Sequence, residues 1–171
     1  YNDFVSSLRP LTESILENDT SFFRYEKNVH RKYCDNMALN IRGLTNSTST
    51  LNKETINFLA NIGYASKSHW SKYLGGNLIT DSLLGIKYII DEEDSIISNY
   101  YEITDIEEAE YKSSYYYAFI NDYALSLAYS VDSSVLDFEF EGETPIENVN
   151  SLLNAMLGAE EAKQYFVPVE Y

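Results

Sequence analysis

Gly75-Gly76-Asn77-Leu78-Ile79-Thr80-Asp81-Ser82-Leu83-Leu84-Gly85-Ile86-Lys87-Tyr88-Ile89-Ile90 reads as a glycine-rich polar loop, one helical turn and a buried strand. Asp81 or Thr80 serves as the cap of the short helix, Ser82 to Leu84 form its turn, and Gly85 supplies the left-handed residue that ends it. Ile86 to Ile90 is apolar enough to lie inside a sheet.

Beyond this segment, residues 91–98 read as a charged turn and 100–103 as a strand. A β meander is predicted between residues 111 and 140, with strands at 115–120 and 125–131. Its third strand alternates Leu136, Phe138 and Phe140 with acidic residues, a pattern that leaves one face in water. Thr144-Pro145-Ile146-Glu147 is a capping box with proline at the first helical position. The helix it opens should end at Leu157 before Gly158, with Ile146, Val149, Leu153, Met156 and Leu157 as its apolar stripe. Residues 165–169 suit an edge strand, since Pro168 would interrupt a central one.

On the N-terminal side, Phe4, Leu8, Leu11 and Ile15 recur at helical spacing over residues 2–18, with Pro10 placed to kink or split that helix. Residues 22–27 follow as a strand, and 37–44 as a weaker strand. Asn52 caps a helix over 53–62 whose inward residues are Ile56, Leu59 and Ala60, with Gly63 as terminator. Residues 64–77 read as a loop. Helices at both ends of a mostly antiparallel stretch predict an α+β fold: a mixed sheet partly covered by helices, in one domain spanning residues 1–171.

The 27 acidic and 12 basic residues give a formal charge of −15. Nucleic acid is therefore excluded as an expected partner, because phosphate backbones demand clustered Lys and Arg. Cys34 is the only cysteine, which removes intramolecular disulfides and cysteine-based metal clusters. No run reaches the roughly 20 apolar residues of a membrane-spanning helix. The chain begins at Tyr1 inside a helical pattern, with no signal peptide ahead of it, and is expected to be a piece of a longer protein.

Few residues point to chemistry. His30 and His69 are the only histidines and lack ligand-spaced partners, so neither a metal nor a cofactor is predicted. Asp91-Glu92-Glu93-Asp94 lacks the alternation and central glycine of a calcium loop. No nucleophile elbow or phosphate-binding glycine loop is present, and no catalytic residue is assigned. Binding is better supported, at Tyr64, Ser66, Ser68, His69, Trp70, Tyr73 and Asn77. Their aromatic faces and hydroxyls suit a sugar or a polar lipid head group; the alternative is a loop anchored by Trp70 in the core.

Five stretches carry a family resemblance: Phe22-Phe23-Arg24-Tyr25-Glu26-Lys27, Phe58-Leu59-Ala60-Asn61-Ile62-Gly63-Tyr64, the Gly75 to Ile90 segment, Tyr117-Ala118-Phe119-Ile120-Asn121-Asp122-Tyr123-Ala124-Leu125-Ser126-Leu127-Ala128-Tyr129, and Pro145-Ile146-Glu147-Asn148-Val149-Asn150-Ser151-Leu152-Leu153. In this order they resemble the extracytoplasmic region of the YfhO-like bacterial membrane proteins. Asp122 and Ser126 depart from the Asn-Pro-Tyr-Ala-Leu-Pro pattern expected there.

The resemblance implies a polytopic parent similar to lipid-linked-sugar glycosyltransferases of the GT-C architecture, associated with glycosylation of cell-wall polymers such as lipoteichoic acid. The implied location is the extracytoplasmic face of the cell membrane. The implied partners are the membrane half of the same parent chain and a glycan or lipid-linked sugar. In that architecture the catalytic acid sits in an early loop of the membrane half, so no catalytic residue carries over to this chain. A free-standing carbohydrate-binding module and a hydrolase using a carboxylate pair are the alternatives.

Overall fold

The apolar run from Ile86 to Ile90 does not alternate with polar residues because its strand is covered on both faces. The computed structural model describes residues 1–166. Its helices are α1 (Asn2–Asn18), α2 (Asp35–Ala38), α3 (Lys53–Asn61), α4 (Leu78–Leu83) and α5 (Pro145–Met156). The strands are β1 (Arg24–Lys27), β2 (Asn46–Ser47), β3 (Ala65–Lys67), β4 (Trp70–Lys72), β5 (Ile86–Glu92), β6 (Glu102–Ile103), β7 (Ala109–Tyr111) and β8 (Ser114–Ile120). The fold is α+β, as predicted.

The larger sheet runs β1-β5-β8-β6, with β7 also beside β8. Only the β1–β5 pair is parallel; β8 is antiparallel to β5, β6 and β7. Tyr88 and Ile90 of β5 and Tyr116 and Ala118 of β8 face Phe4, Leu8, Leu11 and Ile15 of α1. Those four α1 side chains are almost fully buried, which stabilises the fold by about 1.5–3 kcal/mol each. Ile89 and Phe119 point the other way, into a second core with Leu59 and Ile62 from the α3 end and Val149 and Leu152 of α5. A smaller sheet, β2-β4-β3, is wholly antiparallel.

Several elements differ from the sequence prediction. Helix α1 runs unbroken through Pro10. Pro10 and Ser6 both lie on its exposed side, so the Ser6 carbonyl that Pro10 cannot serve faces solvent and is not buried unsatisfied. Residues 37–44 form no strand. Their first two close α2, and the Arg42 carbonyl accepts the Tyr25 N–H at 3.2 Å. In α3, Ala60 is exposed and Phe58 turns inward instead.

The second and third meander strands are absent. β8 already has β5 along one edge and β6 and β7 along the other, so nothing remains for residues 125–131 to pair with. Residues 133–137 form a 3₁₀ turn instead. Helix α5 keeps its predicted capping box, with Glu147 N–H donating to Thr144 Oγ1 and Thr144 N–H to Glu147 Oε2. Val149 of its predicted stripe is buried beside Leu152. Leu153 and Met156 pack half-buried against the same core, and Ile146 and Leu157 are exposed. Of the predicted edge strand, Tyr165 and Phe166 are instead held through their N–H groups by Asn150 Oδ1. Residues 167–169 lie outside the described residues. Among the described residues no helix is long and apolar enough to cross a membrane.

Candidate functional site

The stretch predicted as a loop, residues 64–77, is largely a β hairpin. β3 and β4 pair across the turn Ser68-His69, where Ser68 takes a positive φ of 53°. The hairpin sends the predicted binding residues in different directions. Tyr64 and Tyr73, each 2 % exposed, turn into the core. The Ser66 hydroxyl donates to the Ile56 carbonyl at 2.8 Å. Ser68 and His69 occupy the exposed tip. Trp70 lies with its ring centroid 5.1 Å from that of Tyr33. Asn77, rather than Asp81 or Thr80, caps α4, its Oδ1 accepting the N–H groups of Ile79 and Thr80.

Asp81 is fully buried. Its Oδ1 accepts the Tyr64 hydroxyl at 2.6 Å, and its Oδ2 accepts those of Tyr73 at 2.9 Å and Tyr101 at 2.7 Å. Burial pushes the Asp81 carboxyl up, and the three phenols pull it part of the way back. Burial and the adjacent carboxylate drive all three phenols well above their ordinary range. With its acceptor sites engaged and water excluded, this aspartate is a structural anchor.

A second polar cluster lies where β1 meets the small sheet. Glu26 and Lys27 are consecutive and both fully buried. The Glu26 carboxylate accepts from Thr45 N–H, Thr45 Oγ1, Asn36 Nδ2 and Lys27 N–H, at 2.6, 3.2, 3.0 and 3.2 Å. Lys27 Nζ sits 3.7 Å from Asp35 Oδ2 and 3.2 Å from His30 Nδ1. The other nitrogen of His30, Nε2, donates to the Tyr73 carbonyl at 3.0 Å, so Nδ1 is left to accept from Lys27. His30 is therefore a neutral imidazole. Burial, with Lys27 and Lys72 adding like charge, lowers its pKa to about 4. Burial also lowers Lys27, against the pull of Glu26 and Asp35.

Above this cluster opens a cleft of about 630 Å³ lined by His30, Arg31, Lys32, Tyr33, Thr45 and Lys72 among others. Asp35 fixes its floor, since Oδ2 accepts the backbone N–H groups of Arg31 at 2.6 Å and Lys32 at 2.9 Å. Tyr33 lines the cleft, and its ring packs at a tilt against Trp70. Sequence reasoning found Trp70 but missed the basic residues. The available signal was local density, with Lys27, Arg31 and Lys32 falling within six residues.

Fold and site together describe an α+β domain whose buried carboxylates are spent on architecture and whose open polar surface is a basic cleft with an aromatic rim. The model of the family described as bacterial membrane protein YfhO matches residues 1–170, and the chain belongs to that family. No curated protein and no solved structure matches it.

Proposed function

We propose that residues 1–171 form one extracytoplasmic domain of a glycosyltransferase-like membrane protein acting in glycosylation of a cell-wall polymer of the lipoteichoic acid type. The domain itself is non-catalytic. It shapes the acceptor side of the site beside the membrane half of its parent chain, or binds glycan or lipid-linked sugar there. The family match over residues 1–170 is the observation that carries this reading. The fate of the buried acids supports it further: Asp81 and Glu26 are enclosed and hydrogen-bonded, poor candidates for attacking a sugar.

The exposed Cys34 gives a direct test of the face. In intact cells, a membrane-impermeant maleimide should label the parent protein at Cys34, with Cys34→Ser as the blank. Labelling that requires permeabilised cells would overturn the extracytoplasmic assignment. Deleting the domain from the parent should abolish glycosylation of the polymer, and unchanged glycosylation would overturn the role. Glycoside turnover by the isolated chain would overturn the non-catalytic assignment.

The Trp70–Tyr33 pair favours a second reading, a free-standing carbohydrate-binding module. Glycan-array binding that disappears in Trp70→Ala, together with a parent gene that encodes no membrane spans, would select it.

A further inference from the structure

We propose that the cleft between residues 30–34 and the β2–β4 edge binds a phosphate-bearing anion. The first observation is charge. In a chain carrying −15, Arg31, Lys32 and Lys72 line one concavity, with Lys27 buried near it and paired with Asp35. The carboxylates beneath them, Glu26 and Asp35, are fully buried and face inward to Thr45, Asn36, Lys27 and the loop backbone. The second is pairing. Despite 27 acids in the sequence, the ion pairs among the described residues are Lys27–Asp35 and Lys87–Asp19. Among the described residues Arg31, Lys32 and Lys72 have no carboxylate partner. Arg31 and Lys32 lie instead over the rings of Tyr111 and Tyr1, 5.0 and 4.6 Å from their centroids.

Preorganisation is the third observation. Asp35 clamps the backbone of Arg31 and Lys32, so the loop that carries the cations is already ordered. Such ordering lowers the entropic cost of binding. Burial is the main cause of the depressed His30 imidazole, and the charges of Lys27 and Lys72 lower it further.

Cations from two segments separated in sequence suit a ligand with several charged oxygens. A phosphomonoester carries about −1.5 to −2 at neutral pH and presents three acceptor oxygens, whereas a carboxylate offers one charge and two. At about 630 Å³ the cleft exceeds what a bare ion needs and falls within the usual range for organic ligands, about 300–1,000 Å³. The phosphate therefore belongs to a larger molecule, whose body would lie toward Tyr33.

Titration of the 171-residue chain, followed by amide NMR at constant ionic strength, tests this with sodium phosphate and glycerol 3-phosphate as probes. Saturable shifts are expected at Arg31, Lys32, Ser47 and Lys72, with affinity at least tenfold weaker in an Arg31→Ala, Lys72→Ala double variant. Lys53→Ala, an exposed substitution on α3, should leave affinity unchanged. Sedimentation with phosphatidylcholine vesicles, with and without phosphatidic acid, whose head group is a phosphomonoester, separates the sources. Binding only to phosphatidic acid vesicles, lost in the double variant, identifies a lipid head group; binding of glycerol 3-phosphate without vesicle binding identifies a soluble phosphate. Shifts that never saturate, or an unchanged affinity in a double variant whose spectrum shows it folded, overturn the proposal. The membrane face and the glycosylation role are read by different experiments, so the two can fail separately.

Discussion

The Tyr101 hydroxyl donates to Asp81 Oδ2 across 2.7 Å, joining the approach to β6 to helix α4. Tyr64 and Tyr73, which flank the β3–β4 hairpin, reach the same carboxylate. One side chain thus fastens the small sheet, α4 and the margin of the large sheet together. Four polar groups can be buried at that junction because each satisfies another.

Replacing Asp81 should be costly for this reason. Asp81→Ala orphans three buried phenols at about 1–3 kcal/mol each, and a loss of about 4 kcal/mol is expected. Tyr101→Phe removes one bond and should cost about 1–2 kcal/mol. Urea denaturation measures both; an Asp81→Ala change smaller than that of Tyr101→Phe would refute the shared anchor.

Gly76 tests the same junction sterically. A Cβ there would lie 2.6 Å from Asp81 Oδ1 and 2.8 Å from Tyr64 Cε1, closer than real Cβ contacts allow. Gly76→Ala should destabilise by about 1–3 kcal/mol. In a double-mutant cycle with Asp81→Ala the two losses should fall short of additivity, because both disturb one network. Additive losses would show that Gly76 acts elsewhere.

Much of this architecture was legible in the sequence where the signal is local. The Thr144 capping box, the Asn52 cap, the Gly85 terminator at φ +65° and the apolar α1 face all depend on residues a few positions apart. The errors arose where distant partners decide. Phe138 and Phe140 alternate like a strand, yet β8 has no free edge for them. Met37 lies in a stretch predicted as strand but is 76 % exposed beside buried Asp35 and Asn36, which turn that segment inward around Glu26 and Lys27. Asp81 looked like a local cap; its tyrosine partners lie 8, 17 and 20 residues away. The basic cleft was hidden likewise, because Lys72 joins Arg31 and Lys32 only through the fold.

Glu26→Gln probes the buried cluster beneath that cleft. Gln keeps the shape but turns one acceptor oxygen into a donor among N–H and O–H groups that already donate. It also leaves Lys27 with less negative charge nearby. A loss of about 2 kcal/mol in urea denaturation is expected. A gain in stability would mean that burial of the Glu26 charge outweighs its hydrogen bonds.

Acid should weaken the fold in two stages with separate origins. The folded-state pKa of His30 is lowered to about 4, below the ordinary value of about 6.5. Between those pH values the unfolded chain binds a proton that the folded chain refuses, so this contribution to stability falls on going from pH 6.5 to 4. Asp19 acts lower on the scale. Burial opposes its ionisation, but Lys87, Ser21 and Tyr88 hold its carboxyl below the usual carboxylate range. Its contribution is present above about pH 4 and is lost as pH falls toward the folded value. Asp81 and Glu26, raised by burial, work in the opposite direction and favour the fold on acidification, so the two stages are read from variant-minus-wild-type differences. Against wild type, His30→Gln should flatten the stability profile between pH 6.5 and 4, and Asp19→Asn should flatten it below about pH 4. An NMR titration of the His30 ring with a midpoint at 6 or above would remove the first stage, and with it the neutral imidazole between Lys27 and the Tyr73 carbonyl.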